Sequence, residues 1–67
     1  MSKVTADTIT DTQIRELLTY AKRERLKATT YVCRIALDDG VVHQPSDRIR
    51  EARTRCAEIW NARHGGD

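Results

Sequence analysis

Ile9-Thr10-Asp11-Thr12-Gln13-Ile14-Arg15-Glu16-Leu17-Leu18 is a helix start in which several independent signals agree, and the rest of the chain reads as helices laid against it. Thr10 stands where an N-cap belongs. Gln13, three residues on, completes a capping box, in which the Thr10 hydroxyl accepts from the Gln13 backbone N–H and the Gln13 side chain accepts from the Thr10 N–H. Ile9 before the cap and Ile14 at the fourth helical position have the spacing of a hydrophobic staple, and Asp11 puts a negative charge at the positive end of the helix dipole. Ile14, Leu17, Leu18 and Ala21 then share one helical face, with Arg15, Glu16, Thr19, Lys22 and Arg23 on the other.

From Asp11 to Asp39 there is neither Gly nor Pro, so periodicity alone allows one helix of about 29 residues, roughly 43 Å long. What remains of a 67-residue chain cannot cover such a helix, and Lys22-Arg23-Glu24-Arg25-Leu26-Lys27 interrupts its apolar stripe. Two helices, over about 11–24 and 29–38, are therefore preferred to one, with the break inside Arg25–Thr29 and Thr29-Thr30 as the second N-cap. Tyr31, Val32, Cys33, Ile35, Ala36 and Leu37 resume the apolar pattern, and Gly40 after Asp38-Asp39 ends it. Val41-Val42-His43-Gln44 is an extended link, and Pro45-Ser46-Asp47 opens a third helix over about 46–62. Its stripe is Ile49, Ala52, Cys56, Ile59 and Trp60, with Arg48, Arg50, Glu51, Arg55, Glu58 and Asn61 outside it and Glu51–Arg55 spaced as a favourable ion pair. The expected fold is all-α: one small three-helix domain over residues 9–64, preceded by a mobile N-terminal arm over 1–8 and followed by a flexible end over 65–67. Its core is Ile14, Leu17, Leu18, Ala21, Val32, Cys33, Ala36, Leu37, Ile49, Ala52, Cys56 and Ile59.

Composition narrows the function classes. With no Phe, one Trp and two Tyr, the core must be aliphatic. A chain this short buries only about 60% of its unfolded surface, so self-association or a protein partner is the expected remedy. Twelve Lys and Arg against ten Asp and Glu leave a net charge of +2, too little by itself to announce a nucleic-acid binder. No apolar run approaches the ~20 residues of a membrane span and no signal-peptide pattern opens the chain, so a cytoplasmic protein without membrane contact is expected. Cys33 and Cys56 lie in apolar stripes and are expected as buried, reduced thiols.

Zinc would have to draw on Cys33, His43, Cys56 and His64, but no two of these have the close knuckle spacing of structural zinc sites, and no metal site is expected. Asp38 and Asp39 point different ways, His43 is a solvated linker residue, and no Gly-rich phosphate loop exists. No enzyme, cofactor or small-molecule substrate is therefore expected. A helix-turn-helix reader fails on spacing, because the link from Gly40 to Pro45 is longer than that motif's turn.

Three blocks, Thr10-Asp11-x-Gln13-Ile14-x-x-Leu17, Cys33-x-x-Ala36-Leu37 and Ala52-Arg53-x-x-Cys56-Ala57, together resemble a loose group of short uncharacterised bacterial and phage helical proteins. The likeness spans residues 10–60 and implies a compact helical unit from a bacterial or mobile-element genome, without an activity to carry over. The chain departs from the group at Arg25-Leu26-Lys27, where relatives have a Gly-containing turn, and in the longer link from Val41 to Gln44.

The functional expectation is a non-enzymatic protein-interaction module that binds a protein partner or itself, with Trp60, Ile59 and Tyr31 at the interface, because large aromatics are natural interface anchors. The alternative is a non-specific nucleic-acid-binding accessory protein whose phosphate contacts are Lys22, Arg23, Arg25 and Lys27.

Overall fold

Thr10 Oγ1 accepts from the Gln13 N–H at 3.1 Å and Gln13 Oε1 accepts from the Thr10 N–H at 2.8 Å, so the first helix, α1 (Asp11–Arg23), begins where its capping residues place it. Ile9 and Ile14, on either side of that cap, are both buried, as a staple requires. The computed structural model describes residues 3–37 and 46–64, and within them the chain forms α1, α2 (Lys27–Leu37) and α3 (Ser46–Arg63), with no strand among the described residues.

Two helices therefore replace the single long one that periodicity allows. The Leu26 N–H donates to Ala21 O at 2.8 Å and the Arg25 N–H to Lys22 O at 3.3 Å, the paired bonds of a Schellman turn. Such a turn needs a left-handed residue just past the helix, and Arg25 supplies it at φ 60°. Because that turn redirects the chain within Glu24, Arg25 and Leu26, α2 starts at Lys27 and Thr29-Thr30 is not its cap. Thr30 lies inside the first turn, its N–H donating to Leu26 O at 2.9 Å and its hydroxyl donating to the same carbonyl at 3.0 Å. The expected helix end at Asp38-Asp39-Gly40, the link from Val41 to Gln44 with His43, and Pro45 lie outside the described residues, as do residues 1, 2 and 65–67.

Helix α2 packs against both α1 and α3, which touch each other far less. Of the expected core, Ile14, Leu17, Ala21, Cys33, Ala36, Ala52 and Cys56 are buried, whereas Leu18, Val32, Leu37, Ile49 and Ile59 are only half-buried. Three short helices enclose little interior, so side chains on the flanks of each stripe stay at its edge. Ile9 and Ala57 join the core instead.

Both additions trace to the N-terminal segment, which carries only a turn over residues 6–8 and lies along α3. The Asn61 amide bonds both main-chain groups of Val4, donating to its carbonyl and accepting from its N–H at 3.0 Å each. Arg53 donates from Nε to Ala6 O at 3.1 Å and from its terminal nitrogen to Ile9 O, and Arg50 pairs with Asp7 at 3.0 Å. The segment thus covers Ala57 and fixes the approach to α1. Among the described residues no helix is long and apolar enough to cross a membrane.

Candidate binding surface

Tyr31 sits in the second turn of α2 with 58% of its surface exposed, the most exposed large hydrophobic residue among those described, and its hydroxyl accepts from Arg48 at 3.2 Å. A hollow lies on each side of it. The first, about 370 Å³, is walled by Tyr31, has the buried Ala21 at its base, and is ringed by Lys22, Arg25, Lys27 and Arg34. The second, about 380 Å³, runs between α2 and α3, with Val32, Ile35 and Ala52 among its apolar residues and Arg48, Arg55 and Glu51 among its charged ones.

The Schellman turn builds the first hollow. Lys22 stands in the last turn of α1, Arg25 at the left-handed position, Lys27 at the first residue of α2 and Arg34 two turns further on. Reversal of the chain at Arg25 folds these cations around one space. No acid occupies the first turn of α2, so the positive end of that helix dipole adds to the field there. The ion pairs among the described residues, Arg50–Asp7 and Arg53–Asp11, lie elsewhere, and the Glu51–Arg55 pair expected from spacing is not among them.

Of the four residues expected to contact phosphate, Lys22, Arg25 and Lys27 converge, while Arg23, one position past Lys22 and so turned about 100° around the helix, does not line the hollow. Of the expected protein interface, Tyr31 stands apart. Ile59 and Trp60 are half-buried against the core and line neither hollow beside Tyr31. Trp60 stacks on His64 with ring centroids 4.0 Å apart, and at the same end of α3 Arg63 lies 3.7 Å over the Tyr20 ring, so these aromatics already have partners.

Arg48 and Arg55 were expected only as residues outside the apolar stripe of the third helix, and Arg34 was assigned no role. A signal for them existed: Arg34 follows Tyr31 by three, and Arg48 and Arg55 are seven apart, spacings that put each pair on one helix face.

Cys33 and Cys56 are free and wholly buried, with sulfurs 3.9 Å apart. The Cys56 thiol donates to Cys33, which pushes Cys56 well above the ordinary thiol range, helped by burial; the same bond holds Cys33 below it, burial opposing. Among the described residues no three His, Cys, Asp or Glu side chains gather as metal ligands. No protein-family model, curated protein or solved structure matches the chain.

Proposed function

We propose that the chain is a non-enzymatic, cytoplasmic protein-interaction module, of bacterial or phage origin, whose binding surface is centred on Tyr31 and takes an acidic segment of a partner protein. The observation that carries this is the exposed Tyr31 ring between two hollows, one edged by Lys22, Arg25, Lys27 and Arg34 and the other by Arg48 and Arg55. An aromatic anchor edged by six Lys and Arg side chains against the single Glu51 fits a partner that offers an apolar side chain flanked by carboxylates.

Arg25 adds a second support. A non-glycine residue in the left-handed region costs roughly 1–2 kcal/mol, and here the strained residue is the one whose side chain lines the charged hollow. Retaining an arginine where glycine is cheaper is understandable if its charge is used.

The nucleic-acid reading draws on Lys22, Arg25 and Lys27 in the same hollow. The mixed floor favours protein: Val32 and Ile35 are half-buried in the second hollow and Glu51 stands among its arginines, which suits side chains better than a run of phosphates. The test is an NMR titration of the isotope-labelled chain with an Asp- and Glu-rich peptide carrying one Leu, beside one with a thymidine oligonucleotide. Peptide-induced shifts at Lys22, Tyr31, Val32 and Arg34, lost in Tyr31→Ala, are expected. Shifts with the oligonucleotide alone, fading between about 50 and 200 mM salt, would replace the proposal with phosphate binding.

A further inference from the structure

Cys33 and Cys56 are the only two thiols of the chain, and they meet sulfur to sulfur in the interface between α2 and α3. We propose that this pair is an oxidation site that closes to an intramolecular Cys33–Cys56 disulfide in the presence of a hydroperoxide. The sulfurs stand 3.9 Å apart, and a disulfide needs about 2.05 Å. Closing that difference would take side-chain rotation and an approach of the two helices, and no third cysteine competes for either sulfur.

Neither residue has exposed surface, so the reaction starts from a transient opening of α2 from α3. Openings of this kind are drawn on readily in a domain with so few fully buried side chains. The Cys33 thiolate attacks one oxygen of hydrogen peroxide and the O–O bond breaks. The departing oxygen takes up the proton that Cys33 released and leaves as water, which makes Cys33 a sulfenic acid. Cys56, already pointed at Cys33, attacks that sulfur, the S–O bond breaks, and hydroxide leaves with the Cys56 proton as a second water. Two thiols give up two electrons and two protons, and one peroxide becomes two waters.

The bond would tie together the walls of the hollow under Tyr31. Cys33 lies in α2 and Cys56 in α3, the two helices that wall this hollow, so drawing the sulfurs together would move those walls relative to each other. That consequence rests on the binding proposal above; the disulfide does not. Closing a loop of about 24 residues also restricts the unfolded chain, which raises the melting temperature of the oxidised form by about 10 °C or more.

The experiment treats the full chain with hydrogen peroxide, removes the oxidant, unfolds the protein in an alkylating reagent without reductant, and weighs it. A monomer lighter by two hydrogens, unalkylated, restored by reductant and melting above the reduced protein is expected. Cys33→Ser and Cys56→Ser should each give no such species. The inference is overturned if the wild-type chain gains oxygen or links to a second chain without losing the two hydrogens. It is equally overturned if both thiols survive a treatment that oxidises the urea-unfolded chain, or if the disulfide form melts at or below the reduced one. Peptide titration of the reduced protein reads the binding proposal separately, so either idea can fail alone.

Discussion

Arg53 is the side chain on which the junction between the N-terminal segment, α1 and α3 depends. Its guanidinium, on a side chain only 24% exposed, donates to Ala6 O and Ile9 O and approaches Asp11 at 3.4 Å. Hydrogen bonds to a charged group contribute about 1.5–3 kcal/mol each, and a carbonyl stripped of its donor in a partly buried place carries a desolvation penalty. The Asp11 contact adds little, because that carboxylate is 67% exposed. Water entering the space left by truncation recovers part of the loss, so Arg53→Ala should destabilise the domain by about 2–3 kcal/mol.

For a chain of 67 residues, with a total stability of roughly 3–10 kcal/mol, that is a large share. The matching fall in melting temperature is about 10–20 °C. Arg53→Met keeps the aliphatic stem and removes the donors, so it isolates the hydrogen bonds, and Arg53→Lys, which reaches one carbonyl but not both, should lie between. Urea titration followed by circular dichroism measures the loss, and amide exchange at Thr8 and Ile9, whose N–H groups bond Thr5 O, reports whether the segment loosens before the helices do. A loss below about 0.5 kcal/mol for Arg53→Met would refute the reasoning, since it is the size of an ordinary surface substitution.

Three further substitutions test other parts of the fold. Arg25→Gly should relieve the left-handed strain and, after the extra freedom glycine gives the unfolded chain, raise stability by about 0.5–1 kcal/mol while weakening acidic-peptide binding; a drop in the urea midpoint would contradict it. Thr10→Ala should cost about 1 kcal/mol through loss of the capping box, and an unchanged midpoint would show the cap to be idle. Trp60→Ala should lower the melting temperature, with a loss of about 2–3 kcal/mol for a half-buried aromatic packed on the core; loss of self-association at an unchanged melting temperature would return Trp60 to an interface.

The helices were legible because their signals are local. A cap, a staple and an apolar stripe each lie within a few residues, so Thr10, Gln13, Ile9 and Ile14 announce the start of α1 without reference to the rest of the chain. The start of α2 was not legible. Its signal is the left-handed residue at Arg25, and the usual marker of that conformation is glycine, which is absent there, whereas Thr29-Thr30 offers a cap that the turn bypasses. Attachment of the N-terminal segment was hidden for a different reason. Arg53 and Asn61 look like solvated polar residues in any periodic plot, and their partners are main-chain carbonyls and an N–H more than 40 positions away, which no pattern of side-chain types records.

The proposed binding surface combines both kinds of information. Lys22, Arg25 and Lys27 stand out as a basic run, but a run on one straight helix would radiate its charges around the axis, since successive residues are turned by about 100°. The reversal at Arg25 changes that: it sets the end of α1 against the start of α2 and brings the three cations, with Arg34 from further along, around one hollow that Tyr31 also lines. The same residue supplies the strained backbone and one of the charges. Strain at that position therefore buys the concentration of charge only while residue 25 is cationic, so Arg25→Lys should keep peptide binding near the wild-type level and Arg25→Gly should not, although glycine suits the turn better. Equal binding by the two variants would mean that the turn and the charge are unrelated, and would remove Arg25 from the argument for this surface.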